Sequence, residues 1–433
     1  MHIGELTLRN YRAFADPNPF KFSDRFTVIA GINGRGKTAI LDGLALLFSR
    51  FLPLVSPAHS GYRTMSAAEV HLDAGNAELA MKVTCAGIPI DYSLGYDKER
   101  RKIVPLRKLS AQLRREVRKA YSDPALTTKA APFAVYYTID RASYRLPRKL
   151  PTEVPRGQAG AYAGALFNRT VNFRDFMARY RASVILENEE RQTKNEERQT
   201  NPYFLGDRAV RVISEALRVF LGGFSNLRVQ DNPPRLLVDK HGKSLDLSQL
   251  SEGERSYVAL VCDLIRRLAL ANPQLGNPLD GAGVVLIDEL ELHSHPRWQR
   301  EVVEKLRTTF PNIQFIATTH SPFVIQSLRP GELINLDPEE FGEYSDKSIE
   351  DIAETVMGVE LPQKSERYQR MMEAAEQYFT LLREMPLRTA EDIRAAEERL
   401  NELAAPFSDD PAFQALLKLE RESQTRPGGN ASR

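Results

Sequence analysis

Residues 25–52 read RFTVIA, then GINGRGKT, then AILDGLALLFSRFL. The first block is apolar and β-branched, which predicts a buried strand. The last predicts a helix over 39–52. Between them, Gly31 to Thr38 fits the pattern G-x-x-x-x-G-K-[ST] in the strand–turn–helix setting that the pattern requires. Glycines let backbone N–H groups converge on phosphate oxygens, and the helix N-terminus adds partial positive charge. Asn33, Gly34 and Gly36 would line the loop, Lys37 would reach the β- and γ-phosphates, and the Thr38 hydroxyl would ligate Mg²⁺. The expected ligand is ATP with Mg²⁺.

A loop of this kind needs a second strand ending in carboxylates. The run Val284–Ile287 (VVLI) followed by Asp288 and Glu289 supplies it. Asp288 is expected to hold the metal and Glu289 to polarise the attacking water. Leu250-Ser251-Glu252-Gly253-Glu254 opens a helix about thirty residues earlier, where Ser251, Gly253 and Glu254 could present an anion site. The competing reading of the same residues is a capping box between Ser251 and Glu254. His293-Ser294-His295 lacks a third metal ligand and reads as a turn at a subunit contact. Thr318-Thr319-His320-Ser321-Pro322 ends a further strand, 313–319, placing His320 to hydrogen-bond a γ-phosphate.

Outward from these motifs, strands alternate with helices. Strands are expected at 133–139 (FAVYYTI), with edge strands at 77–83 and 88–94. Helices are expected at 206–222, 256–272 and 297–310, and a strand pair over 227–239 broken at Pro233-Pro234. A basic helical stretch interrupted at Pro105 is expected over 98–120. The order implies α/β layers on a mainly parallel sheet. Residues 141–182 read as loop-rich, and 188–200 carry a seven-residue repeat, NEERQTK then NEERQT, without an apolar seam. Beyond 345 the pattern turns helical (365–385, 389–405, 411–421), and 422–433 is a polar tail.

The 433 residues are 42% hydrophobic and 27% charged, ordinary for a globular chain. Two cysteines exclude a disulfide framework, the charged N-terminus does not suit a signal peptide, and 41–55 is interrupted by Asp42 and Arg50. A cytoplasmic protein is expected. The net charge of +2 hides 20 Lys+Arg against 6 Asp+Glu over 98–181 and 9 against 22 over 331–420. The basic middle is either a solvated face or a surface for nucleic acid. It has few interleaved aromatics, unlike a single-strand groove.

GINGRGKT, LSEGE, VVLIDE and THSP together resemble the ABC-type ATPases of DNA-associated proteins, the RecF- and SMC-like AAA heads. The opening 8–14 (LRNYRAF) is similar to the first hairpin of that class. AVYYTIDRA (134–142), ILENEERQ (185–192), RRLALANPQLGNPL (266–279), IDELELHSHPRWQ (287–299), FPNIQFIATTHSPFVI (310–325) and SIEDIAETVMGVE (348–360) resemble the ATPase subunit of Septu-type and retron-linked anti-phage systems. The resemblance implies a homodimer or higher oligomer that sandwiches ATP. Lys37, Thr38, Asp288, Glu289 and His320 would act in cis, and Ser251 and Gly253, with Glu254 beside them, in trans. Arg12 of the hairpin would join the nucleotide. It also implies a separate HNH-type nuclease partner, since no carboxylate cluster for a nuclease follows His320. Asp140-Arg141 stands where the class carries its Q-loop glutamine, and Ser294 replaces an expected apolar residue.

The resulting organisation is an ATPase lobe (1–97), a basic insert (98–245) that returns strand 133–139 to the sheet, a second lobe (246–340), an acidic helical region (341–421) and the tail. The expected function is a defence ATPase regulating a nuclease. A RecF-like repair ATPase binding DNA through 98–181, and a nucleotide-gated scaffold with little hydrolysis, are the alternatives. A transport ATPase subunit fits least, because transporters lack the hairpin and the insert.

Overall fold

The computed structural model describes residues 1–56, 61–122, 131–142, 159–167, 176–178, 207–231, 233–273, 275–337, 344, 347–359, 366–383 and 390–407. The 188–200 repeat, helix 411–421 and the tail lie outside the described residues. The chain forms two compact units, Met1–Met357 and Gly358–Arg433.

Three strands at the centre of the first unit explain its architecture. In β3 (Phe26–Ala30), β11 (Gly283–Ile287) and β12 (Ile313–Thr318), every residue is buried. A strand covered on both faces has no solvent side to pattern, so it reads as a continuous apolar run, as in parallel sheets. With β7 (Ala134–Tyr137) and β13 (Leu333–Asn335) these strands form a five-stranded sheet ordered β13-β3-β12-β11-β7, all neighbours parallel. β13 has only three half-buried residues and no apolar run to announce it.

A second sheet is antiparallel, ordered β2-β1-β4-β5-β6 from β1 (His2–Arg9), β2 (Asn18–Lys21), β4 (Asn76–Cys85), β5 (Ile88–Asp97) and β6 (Lys102–Arg107). The hairpin expected at the N-terminus is β1–β2. β4 and β5 are interior strands, not edges. The alternation of β4 is the signature of a sheet covered on one side, which says nothing about lateral neighbours, while β5 is buried continuously over Tyr92–Tyr96. The helix expected over 98–120 is also corrected. Pro105 sits in β6, opposite Leu94, beside a register shift at Ser93. An edge strand tolerates a proline because one side of its backbone needs no partner. Only Ala111–Ser122, α2, is helical there.

Between the two sheets lies α1 (Lys37–Val55), whose side chains are buried through nearly its whole length. It is long and apolar enough to cross a membrane, but 78% of the qualifying window is buried inside the fold. Its Asp42 is held by Arg12 (2.7 Å) and Arg63 (2.8 Å), so the one interior acid is paired. Gln314 of β12 joins the sheets, its amide accepting from Ile3 N and donating to Ile3 O, both at 2.8 Å.

The other face of the parallel sheet is covered from α5 (Glu252–Ala271), reached through α3 (Ala159–Tyr162), α4 (Asp207–Leu221) and a small antiparallel sheet of β8 (Phe224–Asp231), β9 (Pro234–Lys240) and β10 (Lys243–Asp246). Tyr136 and Tyr137 of β7 show the two faces. The Tyr137 hydroxyl donates to Asp263 of α5 at 3.1 Å, whereas the Tyr136 ring lies under Arg63 on the α1 side. Asp263 is itself clamped by Arg266 (2.5 Å) and Arg267 (2.6 Å). Burial alone would raise its pKa, and the two guanidiniums, Arg267 first, hold it well below the carboxylate range. Helices α6 (Pro296–Thr309), α7 (Pro322–Gln326) and α8 (Ile349–Met357) complete the unit.

The second unit, as far as it is described, is a helical hairpin of α9 (Glu366–Arg383) and α10 (Ala390–Ala404). Met371, Ala374, Ala375, Tyr378 and Phe379 of α9 pack with Leu400 and Ala404 of α10.

Candidate nucleotide site

Because the five central strands are parallel, their C-terminal ends share one edge of the sheet, the usual place for ligands in such layers. The loop after β3 carries Gly31–Thr38, the turn after β11 carries Asp288 and Glu289, the segment after β12 carries His320, and the turn after β7 carries Asp140 and Arg141.

In the loop, Asn33, Gly34 and Thr38 are exposed while Lys37 is buried. The Lys37 ammonium donates to Gly31 O (2.7 Å) and Ile32 O (3.1 Å), arching the loop over its own side chain. Burial lowers its pKa, opposed by Asp337, Asp288, Glu289 and Glu291. Gly36 has φ +97 and caps α1 without a side-chain acceptor, so the first N–H groups of the helix stay available. Any larger residue would also collide: a Cβ at Gly36 would lie 2.7 Å from Phe14 Cζ. Asp337, which sequence reading missed, accepts from Ile32 N (2.8 Å) and pairs with Arg35 (2.6 Å). It directly follows the pairing of β13 with β3, and only that short strand puts it beside the loop.

The Thr38 hydroxyl lies 3.2 Å from both carboxylate oxygens of Asp288. Two hard oxygen donors, one hydroxyl and one carboxylate, suit Mg²⁺, which keeps several waters and phosphate ligands rather than an all-protein cage. Among the described residues, no group of three or more His, Cys, Asp or Glu side chains could hold a metal. The Thr318 hydroxyl donates to Asp288 Oδ1 (2.6 Å) and accepts from Glu289 N (2.8 Å), so the strand end after β12 orients the carboxylate pair. Glu289 is half-buried with φ +48, a left-handed residue. Glu291 accepts from the Thr319 hydroxyl (2.6 Å) and from His320 N (2.5 Å), fixing the backbone that carries His320.

Ser251 caps α5 in a full capping box. Its hydroxyl accepts from Glu254 N (3.3 Å) while Ser251 N donates to the Glu254 carboxylate (3.1 Å). Glu254 is buried and also receives Lys240 at 2.5 Å, so its carboxylate is engaged inside the fold, whereas Ser251 stays exposed. A Cβ at Gly253 would sit 2.4 Å from His293 O; the glycine therefore lets the start of α5 lie against the turn after Glu289. His293 faces Glu252 (3.6 Å) and His295 caps α6 through Arg297 N, so the two imidazoles serve separate partners. Arg12, also left-handed, is paired with Asp42, one turn beyond Thr38 on α1, and with Glu69 of the turn at 67–69, each at 2.7 Å.

Two domain models match the chain: "AAA domain" over residues 5–138 and "AAA domain, putative AbiEii toxin, Type IV TA system" over 161–326. The "Retron Ec83 probable ATPase" of Escherichia coli is 46% identical over 145 residues, 33% of this chain and 27% of that protein's own length. The "Retron Vc95 probable ATPase" of Vibrio cholerae serotype O1 biovar El Tor is 27% identical over 76% of this chain and 72% of that protein. The "Septu protein PtuA" of Bacillus thuringiensis is 24% identical over 78% of this chain and 80% of that protein. Both matched models are AAA domains, and the chain, an α/β fold with a parallel central sheet, is similar to the probable ATPases of retrons and to PtuA of Septu.

Proposed function

We propose that this protein binds and hydrolyses ATP as a cytoplasmic subunit of an anti-phage defence complex, closing as a dimer around two nucleotides and thereby controlling a partner nuclease of HNH type. One observation carries the reading: Lys37, Thr38, Asp288, Glu289 and His320 gather from three adjacent parallel strands, while Ser251 stands exposed at the start of a different element. Kinship with retron and Septu proteins supports the defence role.

In this reading Lys37 and the open N–H groups of α1 bind the phosphates, and Thr38 and Asp288 hold Mg²⁺. When bound, Mg²⁺ would neutralise charge on the β- and γ-phosphates. Glu289 accepts the proton of the attacking water, and His320 donates to the γ-phosphate. Ser251 and Gly253 reach the same phosphate from the second copy, so ATP favours the closed pair by its differential affinity for it. Residues 1–97 and 246–340 then form the nucleotide lobes, with 98–245 as the insert; of the acidic region 341–421, α8 belongs to the first unit and α9 and α10 to the second. Exposed Arg101, Lys102, Lys108, Arg115 and Lys119 on and around β6 and α2 would give the insert its contact with DNA phosphates.

The Glu289→Gln variant tests the core of this. It should lose turnover by roughly 10²- to 10⁴-fold yet accumulate as an ATP-dependent dimer in sedimentation velocity. A variant that stays monomeric with saturating ATP, from a wild type whose specific activity is independent of protein concentration, would reject the shared site.

A further inference from the structure

Arg141 is almost fully buried, at 3% exposure, and among the described residues it makes no ion pair with a carboxylate. A guanidinium cannot shed its charge, and burying one without a carboxylate costs several kcal/mol. Its donors are spent on main-chain carbonyls instead. One terminal nitrogen donates to Thr138 O (3.2 Å) and Asp288 O (2.5 Å), and the other donates to Glu289 O. The planar fork thus spans two consecutive carbonyls of the turn after β11.

That turn has an unusual residue to hold. Glu289 is left-handed, a conformation that disfavours any side chain with a Cβ by about 1 kcal/mol or more. Its two backbone ends are gripped from opposite directions: Thr318 takes the N–H and Arg141 takes the carbonyl. Nothing in this arrangement requires Arg141 to touch nucleotide. Its position at the end of β7, next to β11 in register Ile287↔Tyr137, is where the resemblance leads one to expect a glutamine.

We propose that Arg141 is the positioning residue for Glu289, locking the peptide that carries the hydrolytic carboxylate and linking it to the chain that leaves the sheet after β7. The inference rests on the ATPase reading above. Arg141 acts through Glu289, so it governs turnover and leaves nucleotide affinity alone.

The test compares full-length wild type, Arg141→Lys and Arg141→Met for steady-state hydrolysis, equilibrium binding of a fluorescent ATP analogue, and thermal unfolding. Arg141→Lys keeps a buried cation and most of the volume, so it carries the test if Arg141→Met does not fold. Turnover of Arg141→Lys should fall by about tenfold or more while the dissociation constant stays within about twofold. In a Glu289→Gln background, Arg141→Lys should cause no further loss, because the group it positions is already gone. Unchanged turnover, an equal loss of binding and turnover, or an independent loss in the Glu289→Gln background would each overturn the assignment. A wild type that neither binds nor hydrolyses ATP overturns the ATPase reading as well. Sensitivity to Glu289→Gln with indifference to Arg141→Lys overturns only this inference.

Discussion

The loop after β3 and the start of α5 use the same materials, glycines beside a helix N-terminus, and reach opposite states. In the first, Gly36 offers α1 no acceptor, so the leading N–H groups are unmet, and Lys37 and Thr38 lie within the same turn. In the second, Ser251 and Glu254 already satisfy each other, and Glu252 and Glu254 place negative charge in the first turn. An anion approaching α1 meets open donors and a cation; one approaching α5 meets a closed box. On the proposed reading, the half-site with Lys37 binds triphosphate in a single chain. On the same reading, the half-site with Ser251 adds little affinity by itself and acts only when a nucleotide held by another copy is brought against it.

Lys37→Ala should produce the largest effect on binding that separates the two halves. Removing a charged donor to phosphate costs about 1.5–3 kcal/mol, or roughly 10- to 150-fold in ATP affinity, read by equilibrium titration. Affinity within twofold of wild type would put the triphosphate elsewhere.

Gly253→Ala should come next, and it acts on the other half. The added methyl would sit 2.4 Å from His293 O, backbone that cannot swing aside as a side chain would. Either α5 or the turn after Glu289 must shift, at a cost of about 1–3 kcal/mol. The unfolding midpoint should fall and turnover should drop, with the single-chain affinity for ATP preserved. A variant as stable and active as wild type would mean that the start of α5 and that turn move independently.

The two halves also differed in how readily the sequence disclosed them. The loop, the Asp-Glu strand and the His320 strand are local patterns in which residue order alone dictates geometry, and the continuous apolar runs of β3, β11 and β12 follow from burial on both faces. What could not be read were contacts made by chain reversal. Asp337 reaches the loop through three-residue β13, Thr318 reaches Asp288 across thirty residues, and Arg141 reaches Glu289 across neighbouring strands. Lys98 to Ala120 misled for a simpler reason. Basic residues suit an edge strand as well as a helix, and Pro105 breaks a helix and decorates a sheet edge with equal ease. At Ser251 both the capping box and the proposed anion site use the same atoms, so sequence alone had no means of choosing.

That overlap can be separated by two substitutions. Ser251→Ala removes the cap acceptor and should cost about 1 kcal/mol of stability, the smallest of these effects, with ATP affinity of the single chain unchanged. If the hydroxyl also meets a phosphate across the dimer, turnover falls by more than so small a destabilisation explains. Ser251→Asp supplies the sharper comparison. Aspartate caps a helix as well as serine does, so α5 and its stability should be retained, while a carboxylate now faces the incoming triphosphate. Cap and contact therefore part company. A stable Ser251→Asp protein that binds ATP but no longer dimerises with it, in the trapping Glu289→Gln background, assigns the serine to the nucleotide of the second copy. One that dimerises like the parent assigns it to α5 alone, and the half-site at the start of that helix would have to be built from the glycine and the backbone.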